Sequence, residues 1–286
     1  MNPDSSLTDP LVDADWVAAH LADESVRVIE VDVASTAYER GHIPGALLWN
    51  IYRDLRRPDY SSVSTGELEG VFARSGIDRE TTAVFYGYGA HLGFWLMRSH
   101  GHGRARLLDG PREQWLDGGP SWSDEEQAPR PSVYPATTDD PRLSSTRRAV
   151  LAMLDEPGTV VLDVRSQAEY DGERFWPSGA TEGAGRAGHI PGSVHLSIES
   201  LRDPSGRFKD AGEMQHALLS AGITPEHRIV TYCTIGNRAA QAWFALSYLL
   251  DYPDVSVYRG SWAEWGLLPD TPIETSPAER TRVIAY

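Results

Sequence analysis

Gly41-His-Ile-Pro-Gly-Ala46 returns later in the chain as Gly188-His-Ile-Pro-Gly-Ser193, 147 positions on. Ala83-Val-Phe-Tyr86 returns as Ile229-Val-Thr-Tyr232 at a spacing of 146, and Gly110 and Trp115 fall on Gly260 and Trp265 at 150. Upstream, Val28-Ile-Glu-Val-Asp32-Val33 aligns with Val160-Val-Leu-Asp163-Val164 at 131, which places Asp13 over Ser144 as matching helix caps. Four anchors in one order make the chain one fold written twice.

Each half alternates short β-branched runs with helical patterns. Val26–Val33, Thr82–Tyr86 and Ala105–Leu108 read as buried strands, as do Val160–Val164, Arg228–Tyr232 and Val255–Tyr258. Trp16–Leu21, Thr65–Ser75, Glu213–Ala221 and Ala239–Leu250 read as helices. Continuous apolar strands separated by helices predict an α/β fold: in each half, a mainly parallel sheet covered by helices on both faces. Gly118–Thr146 holds five prolines and no apolar period, which suits a linker drawn across the surface. The expected organisation is an N-terminal domain over 1–122, a linker over 123–142 and a C-terminal domain over 143–286.

The changes of spacing show where the copies differ. The second half gains about sixteen residues over Gly172–Ala187, a glycine-rich and flexible insertion with Arg174, Trp176 and Arg186, and about four more around Cys233–Arg238. New function on a duplicated scaffold is expected in such places.

The chain of 286 residues carries 26 basic and 41 acidic side chains, a formal charge of −15. That field repels phosphate backbones and anionic lipid heads, so nucleic acid and membrane surfaces are not expected partners. A small anionic ligand needs a local cationic pocket. One cysteine excludes an internal disulfide and suits a reducing compartment. Met1–Pro10 has no basic region followed by an apolar stretch, and the longest apolar run, Ala242–Leu250, is about half a membrane span. A cytoplasmic location is the expectation.

Cys233-Thr-Ile-Gly-Asn-Arg238 joins a strand ending at Tyr232 to a helix starting at Ala239. A cysteine at such a turn faces converging backbone N–H groups and the positive end of a helix, and both favour thiolate over thiol. Gly236 lets the loop curl back, and Arg238 can face an anion docked against the sulfur. The plain alternative is a buried, inert cysteine. Glycine at the fourth loop position, arginine at the sixth and the helix start weigh against it.

With these motifs in hand, the chain resembles the tandem-domain rhodaneses, the thiosulfate and 3-mercaptopyruvate sulfurtransferases. The matching residues are Asp163-Val-Arg165, Arg186-Ala-Gly-His-Ile-Pro-Gly192, Cys233-Thr-Ile-Gly-Asn-Arg238 and Tyr258-Arg-Gly-Ser-Trp-Ala-Glu-Trp265. The resemblance implies an inactive N-terminal copy, where Gly87 stands in place of the cysteine, and a C-terminal copy with Cys233 as catalytic residue. It implies a double displacement: the thiolate takes sulfur from a small anionic donor, then yields it to cyanide, a thiol or a protein. No cofactor or metal is implied. Thiosulfate is the expected donor on the strength of Arg238, although Thr234 stands where thiosulfate-using relatives often carry a base; 3-mercaptopyruvate is the alternative. Arg186, Thr234, Ile235, Gly236, Asn237 and Arg238 are the expected substrate-binding residues, with Arg186 and Arg238 gripping the donor between the domains.

Two rival classes share features with this chain. Cysteine phosphatases of the same fold place five residues between cysteine and arginine; four lie between Cys233 and Arg238, so the ring suits a single sulfur atom rather than a phosphoryl group. A docking or sulfur-relay module is the other. His100-Gly-His102 lacks a third metal ligand and reads as a solvated loop. His42 and His189 recur in the repeat and so read as structural, with His42 kept as a minor candidate near the substrate. Asp163 and Arg165 read as a bracing ion pair, Trp262 and Trp265 as core, and Asp124-Glu-Glu126 as a solvated run.

Overall fold

The computed structural model describes residues 10–117, 119–135, 139–154 and 156–275. The expectations about the N-terminal segment 1–9 and the polar tail from Pro277 lie outside the described residues.

In the first half β1 (Leu11–Val12), α1 (Ala14–Ala19), β2 (Val26–Asp32), α2 (Thr36–Arg40), β3 (Leu47–Asn50), α3 (Thr65–Arg74), β4 (Thr82–Tyr86), α4 (Ala90–Ser99) and β5 (Ala105–Leu108) follow in order. The second half repeats the plan with β6 (Ser144–Ser145), α5 (Arg147–Met153), β7 (Thr159–Asp163), α6 (Gln167–Tyr170), β8 (Val194–His195), α7 (Ala211–Ser220), β9 (Arg228–Tyr232), α8 (Asn237–Phe244), β10 (Val255–Tyr258) and α9 (Ser261–Trp265). Both sheets are parallel and five-stranded, in the orders β1-β5-β4-β2-β3 and β6-β10-β9-β7-β8. The central strands β4 and β9 are buried without alternation beyond their first residue because helices cover both faces.

The repeat also shows in local chemistry. Tyr38 stacks on His42 at 3.8 Å, and Tyr170 on His189 at 3.7 Å. Each histidine donates its Nδ1–H to the carbonyl of its own stacking tyrosine, so both serve the turn rather than the cleft.

Three expectations are corrected. Glu30 lies opposite Tyr86 and Asp163 opposite Tyr232, so Glu30, not Asp32, is the counterpart of Asp163, at an offset of 133. Strand side chains alternate with period two, and a slip of two residues leaves every inward and outward position unchanged. Hydrophobic pattern alone could not detect it. The cap of α5 is Thr146, whose side chain accepts from Ala149 N, while Ser144 belongs to β6. His100 and His102 are 2% and 1% exposed, not solvated; burial pushes the His102 imidazole down to about 4. His102 bonds the Thr81 carbonyl at 2.9 Å and Tyr134 hydroxyl at 3.2 Å, which is how a histidine becomes core.

The helix read over Ala239–Leu250 begins two residues earlier, at Asn237, and widens after Phe244 into a π-turn over Ala245–Leu249, with Leu250 N–H reaching Ala245 O at 3.1 Å. α4 of the first half packs against α8 of the second. Phe94 meets Phe244 at 5.6 Å and Tyr248 at 5.5 Å, in one apolar cluster that spans both halves. An interface made of core-like aromatics holds the halves in fixed relation, and the cleft described next lies along it.

Candidate active site

β9 delivers Tyr232 to the sheet's carboxyl edge, where open α/β sheets bind ligands. The strand end is braced from below. Asp163 and Arg165, both 0% exposed, form an ion pair at 2.6 Å, and the Tyr232 hydroxyl donates to the same carboxylate at 2.5 Å. Beyond Tyr232 the chain turns through Cys233, Thr234 and Ile235 to Gly236, whose φ of +91° is left-handed, and α8 begins. A Cβ on Gly236 would stand 2.9 Å from an Arg56 guanidinium nitrogen, so glycine is required twice over.

Three carbonyls of this loop are bonded to groups outside it. Cys233 O accepts from Trp262 N and Thr234 O from Ala263 N, each at 2.9 Å, at the start of α9. Ile235 O accepts from Arg56, across the domain boundary. With these oxygens engaged elsewhere, Gly236 N–H donates to Cys233 Sγ at 3.2 Å. Cys233 is 1% exposed and lines a cavity of about 570 Å³ between the halves.

Arg238 lines this cavity, but it is not a free cation. It forks onto Glu169 with two bonds of 2.8 Å, and Thr234 Oγ1 donates to the same carboxylate at 2.7 Å. Burial by itself would raise the Glu169 carboxyl; bonds from Arg238, Thr234 and Ser166 outweigh that and hold it at about 2. Arg57, the other cation at the cavity wall, is paired with Glu67 at 2.6 Å. The wall also carries four aromatics, Tyr52, Tyr60 and Tyr88 from the first half and Trp176 from the insertion, 4.8 Å from Tyr60, together with Glu182. Asn237 gives its amide N–H to Tyr88 O at 3.1 Å, which leaves its buried Oδ1 unpartnered.

Of the expected site residues, Cys233, Thr234, Ile235, Asn237 and Arg238 line the cavity, and Gly236 reaches the sulfur by its N–H. Arg186 does not join them, which corrects the expectation of a two-arginine grip. Its guanidinium donates to Thr271 O at 2.9 Å, Thr271 Oγ1 at 2.6 Å and the carbonyl of Leu268. The turn after α9 leaves carbonyls without helical partners, and Arg186 caps them. The insertion is correspondingly pinned, with Phe175 and Trp176 buried and Arg186 N–H on Gly266 O at 2.9 Å. Arg186→Ala is therefore expected to lower unfolding stability by about 1–3 kcal/mol through orphaned carbonyls. Thiosulfate KM should stay at the wild-type value; a tenfold rise in KM would return Arg186 to the donor site.

Sequence reasoning missed Arg56, Tyr52, Tyr60 and Tyr88, all from the half without the cysteine. A signal existed for one of them: Leu55-Arg56 and Leu201-Arg202 are repeat partners, and both arginines sit in matching bridges, to Ser62 and Phe208.

Two copies of one parallel α/β unit, the second carrying a cysteine whose sulfur accepts a loop N–H, define a tandem protein built for thiol chemistry. The chain belongs to the family of the rhodanese-like domain, which matches residues 13–117 and again 146–267. It is 39% identical over 272 residues to the "Sulfur carrier protein TtuD" of Thermus thermophilus, covering 92% of this chain and 95% of the relative. It is 36% identical over 276 residues to a "Putative thiosulfate sulfurtransferase" of Haloferax volcanii, covering 93% and 96%. Among solved structures it matches an anaerobic ergothioneine biosynthesis enzyme from Chlorobium limicola in complex with trimethyl histidine, with a TM-score of 0.83, 26% identity, and 94% of this chain and 71% of that one covered. A variant of that type of enzyme, at the same TM-score, carries ergothioneine linked to a persulfide cysteine. Sulfur transfer is the chemistry these relatives share, and this chain is of the sulfurtransferase class. Among the described residues no helix is long and apolar enough to cross a membrane.

Proposed function

We propose that the chain moves the sulfane sulfur of thiosulfate to a thiophilic acceptor through a persulfide on Cys233. The observation that carries this reading is the Gly236 N–H on Cys233 Sγ, inside a loop whose Cys233, Thr234 and Ile235 carbonyls are bonded outside it. The Cys233 thiolate attacks the outer sulfur of thiosulfate, the S–S bond breaks, and sulfite leaves with the electron pair. The persulfide that remains is an anion one atom longer, and loop N–H groups can bond its terminal sulfur. Cyanide or a thiolate then attacks that sulfur and Cys233 leaves as thiolate. Thr234, Ile235, Gly236 and Asn237 serve as backbone donors or walls for the donor, and Arg238 as a half-neutralised cation beside it.

Thiosulfate is small enough to dock on the loop, and the aromatic outer cleft is left for the acceptor. A sulfur-relay role, with a protein or organic acceptor, is favoured by the exposed rims of Tyr52 and Tyr88, at 42% and 51%. The deciding experiment compares thiosulfate with 3-mercaptopyruvate as donors, with cyanide as acceptor. Higher kcat/KM with thiosulfate is expected; a preference of tenfold or more for 3-mercaptopyruvate overturns the donor assignment. Aryl phosphates are expected to be inert, because Arg238 is already forked onto Glu169 and the ring is one residue short.

A further inference from the structure

We infer that Arg56, in the half that carries no cysteine, is a positioning residue for the sulfur chemistry of the other half. It holds the Ile235 carbonyl away from Cys233 and sets a positive charge beneath the loop. This rests on Cys233 being the sulfur carrier.

Arg56 follows the π-turn Ile51–Leu55, which Asn50 caps by accepting from Tyr52 and Arg53 N–H. The turn sends the side chain into the domain boundary, where the residue is 4% exposed. One guanidinium nitrogen donates to Ser62 Oγ at 2.7 Å and Arg259 O at 3.1 Å, and the other donates to Ile235 O. All three acceptors are neutral. Among the described residues Arg56 makes no ion pair, and its buried Nε has no hydrogen-bond partner. A buried cation without a carboxylate is costly unless an anion nearby offsets it.

The cysteine supplies such an anion when it is a thiolate or persulfide. Burial and the neighbouring Arg259 press the Arg56 guanidinium down to about 10, opposed by negative charge at Cys233 and Glu264; it stays protonated at neutral pH. The other groups facing the sulfur are Arg238, tied to Glu169, and the Tyr52 phenol, whose ionisation burial opposes. Arg56 is thus the cation of this set without a carboxylate of its own.

The repeat partner makes the contrast. Arg202 bonds Gln241 Oε1 at 2.9 Å and the Gly206 carbonyl, both within its own half. The scaffold carries an arginine twice, and the copy that crosses the boundary is the one that meets the cysteine loop. Released from Arg56, the Ile235 peptide is free to rotate, and a carbonyl turned toward an anionic sulfur would repel it.

The test uses the full chain with Arg56→Gln and Arg56→Lys. Cys233 alkylation by iodoacetamide is followed against pH, and persulfide formation from thiosulfate is followed in a single turnover. For Arg56→Gln, folded by circular dichroism, the alkylation profile should move to higher pH. Persulfide formation at pH 7 should slow about tenfold or more. Arg56→Lys, which keeps the charge but lacks the fork, should bring the alkylation profile back toward wild type while persulfide formation stays at least about threefold slow. A folded Arg56→Gln with the wild-type profile and rate overturns the inference. Should Arg56→Gln fail to fold, Arg56→Lys decides alone: a slowed persulfide step supports the inference and wild-type behaviour in both measurements overturns it. Alkylation needs no sulfur donor, so wild-type protein that forms no persulfide sinks the proposed function without bearing on the profile.

Discussion

Replacing Cys233 by Ser is expected to abolish sulfur transfer while leaving the fold intact. The side chain is 1% exposed and a hydroxyl nearly matches it in size, so the packing around it changes little. Gly236 N–H can bond the serine oxygen as it bonds the sulfur. What is lost is the nucleophile: a hydroxyl at neutral pH neither ionises nor forms a stable bond to sulfane sulfur. Mass spectrometry after thiosulfate should show one added sulfur atom on the wild type and none on the variant. With a single thiol in the chain, no other residue can take over. Residual turnover above a few per cent of wild type would mean that Cys233 is not the carrier.

The second large effect is expected at Glu169. Its carboxylate is 0% exposed and receives Arg238, Thr234 and Ser166, so Glu169→Ala leaves the Arg238 guanidinium without its partner. Breaking such a pair from one side costs about 3–5 kcal/mol. The pH dependence follows from the sign of the carboxyl shift. The group is held at about 2 in the fold against an ordinary 4.5, so its ionised form stabilises the folded chain fully above about 4.5. That contribution disappears as pH falls from 4.5 through 2. Thermal unfolding of wild type and Glu169→Ala should accordingly differ most at neutral pH and converge in acid. A gap that stays constant down to pH 2 would show that the pair contributes by packing alone.

The two effects differ in how far they could be foreseen. Cys233, Gly236 and Arg238 lie within six consecutive residues, and a strand-to-helix turn orients them by local geometry. Glu169 is 69 residues from Arg238 and reads in sequence only as the third position of a capping box with Ser166. It serves both purposes, because the short helix α6 ends beneath the cysteine loop. Sequence also misplaced Arg186: guanidinium groups suit donor anions and helix-end carbonyls equally, and residue type does not say which is nearer.

By itself, the sequence determined the duplication, the two parallel sheets, the glycine at 87 where the second copy has Cys233, and the single thiol. These depend on short-range rules: apolar runs that must be covered, glycines at left-handed turns, and a thiol that occurs once. Tertiary structure decided the two-residue register of β2, which period-two patterning leaves open. It also decided the company that Cys233 keeps. Tyr52, Tyr60 and Tyr88 line the cavity with Cys233, and Arg56 reaches the Ile235 carbonyl, from more than a hundred residues away in the chain, because Phe94 on α4 packs against Phe244 on α8. That contact is apolar and carries no residue-by-residue code, yet its geometry sets which half of a repeated arginine pair lies under the cysteine loop.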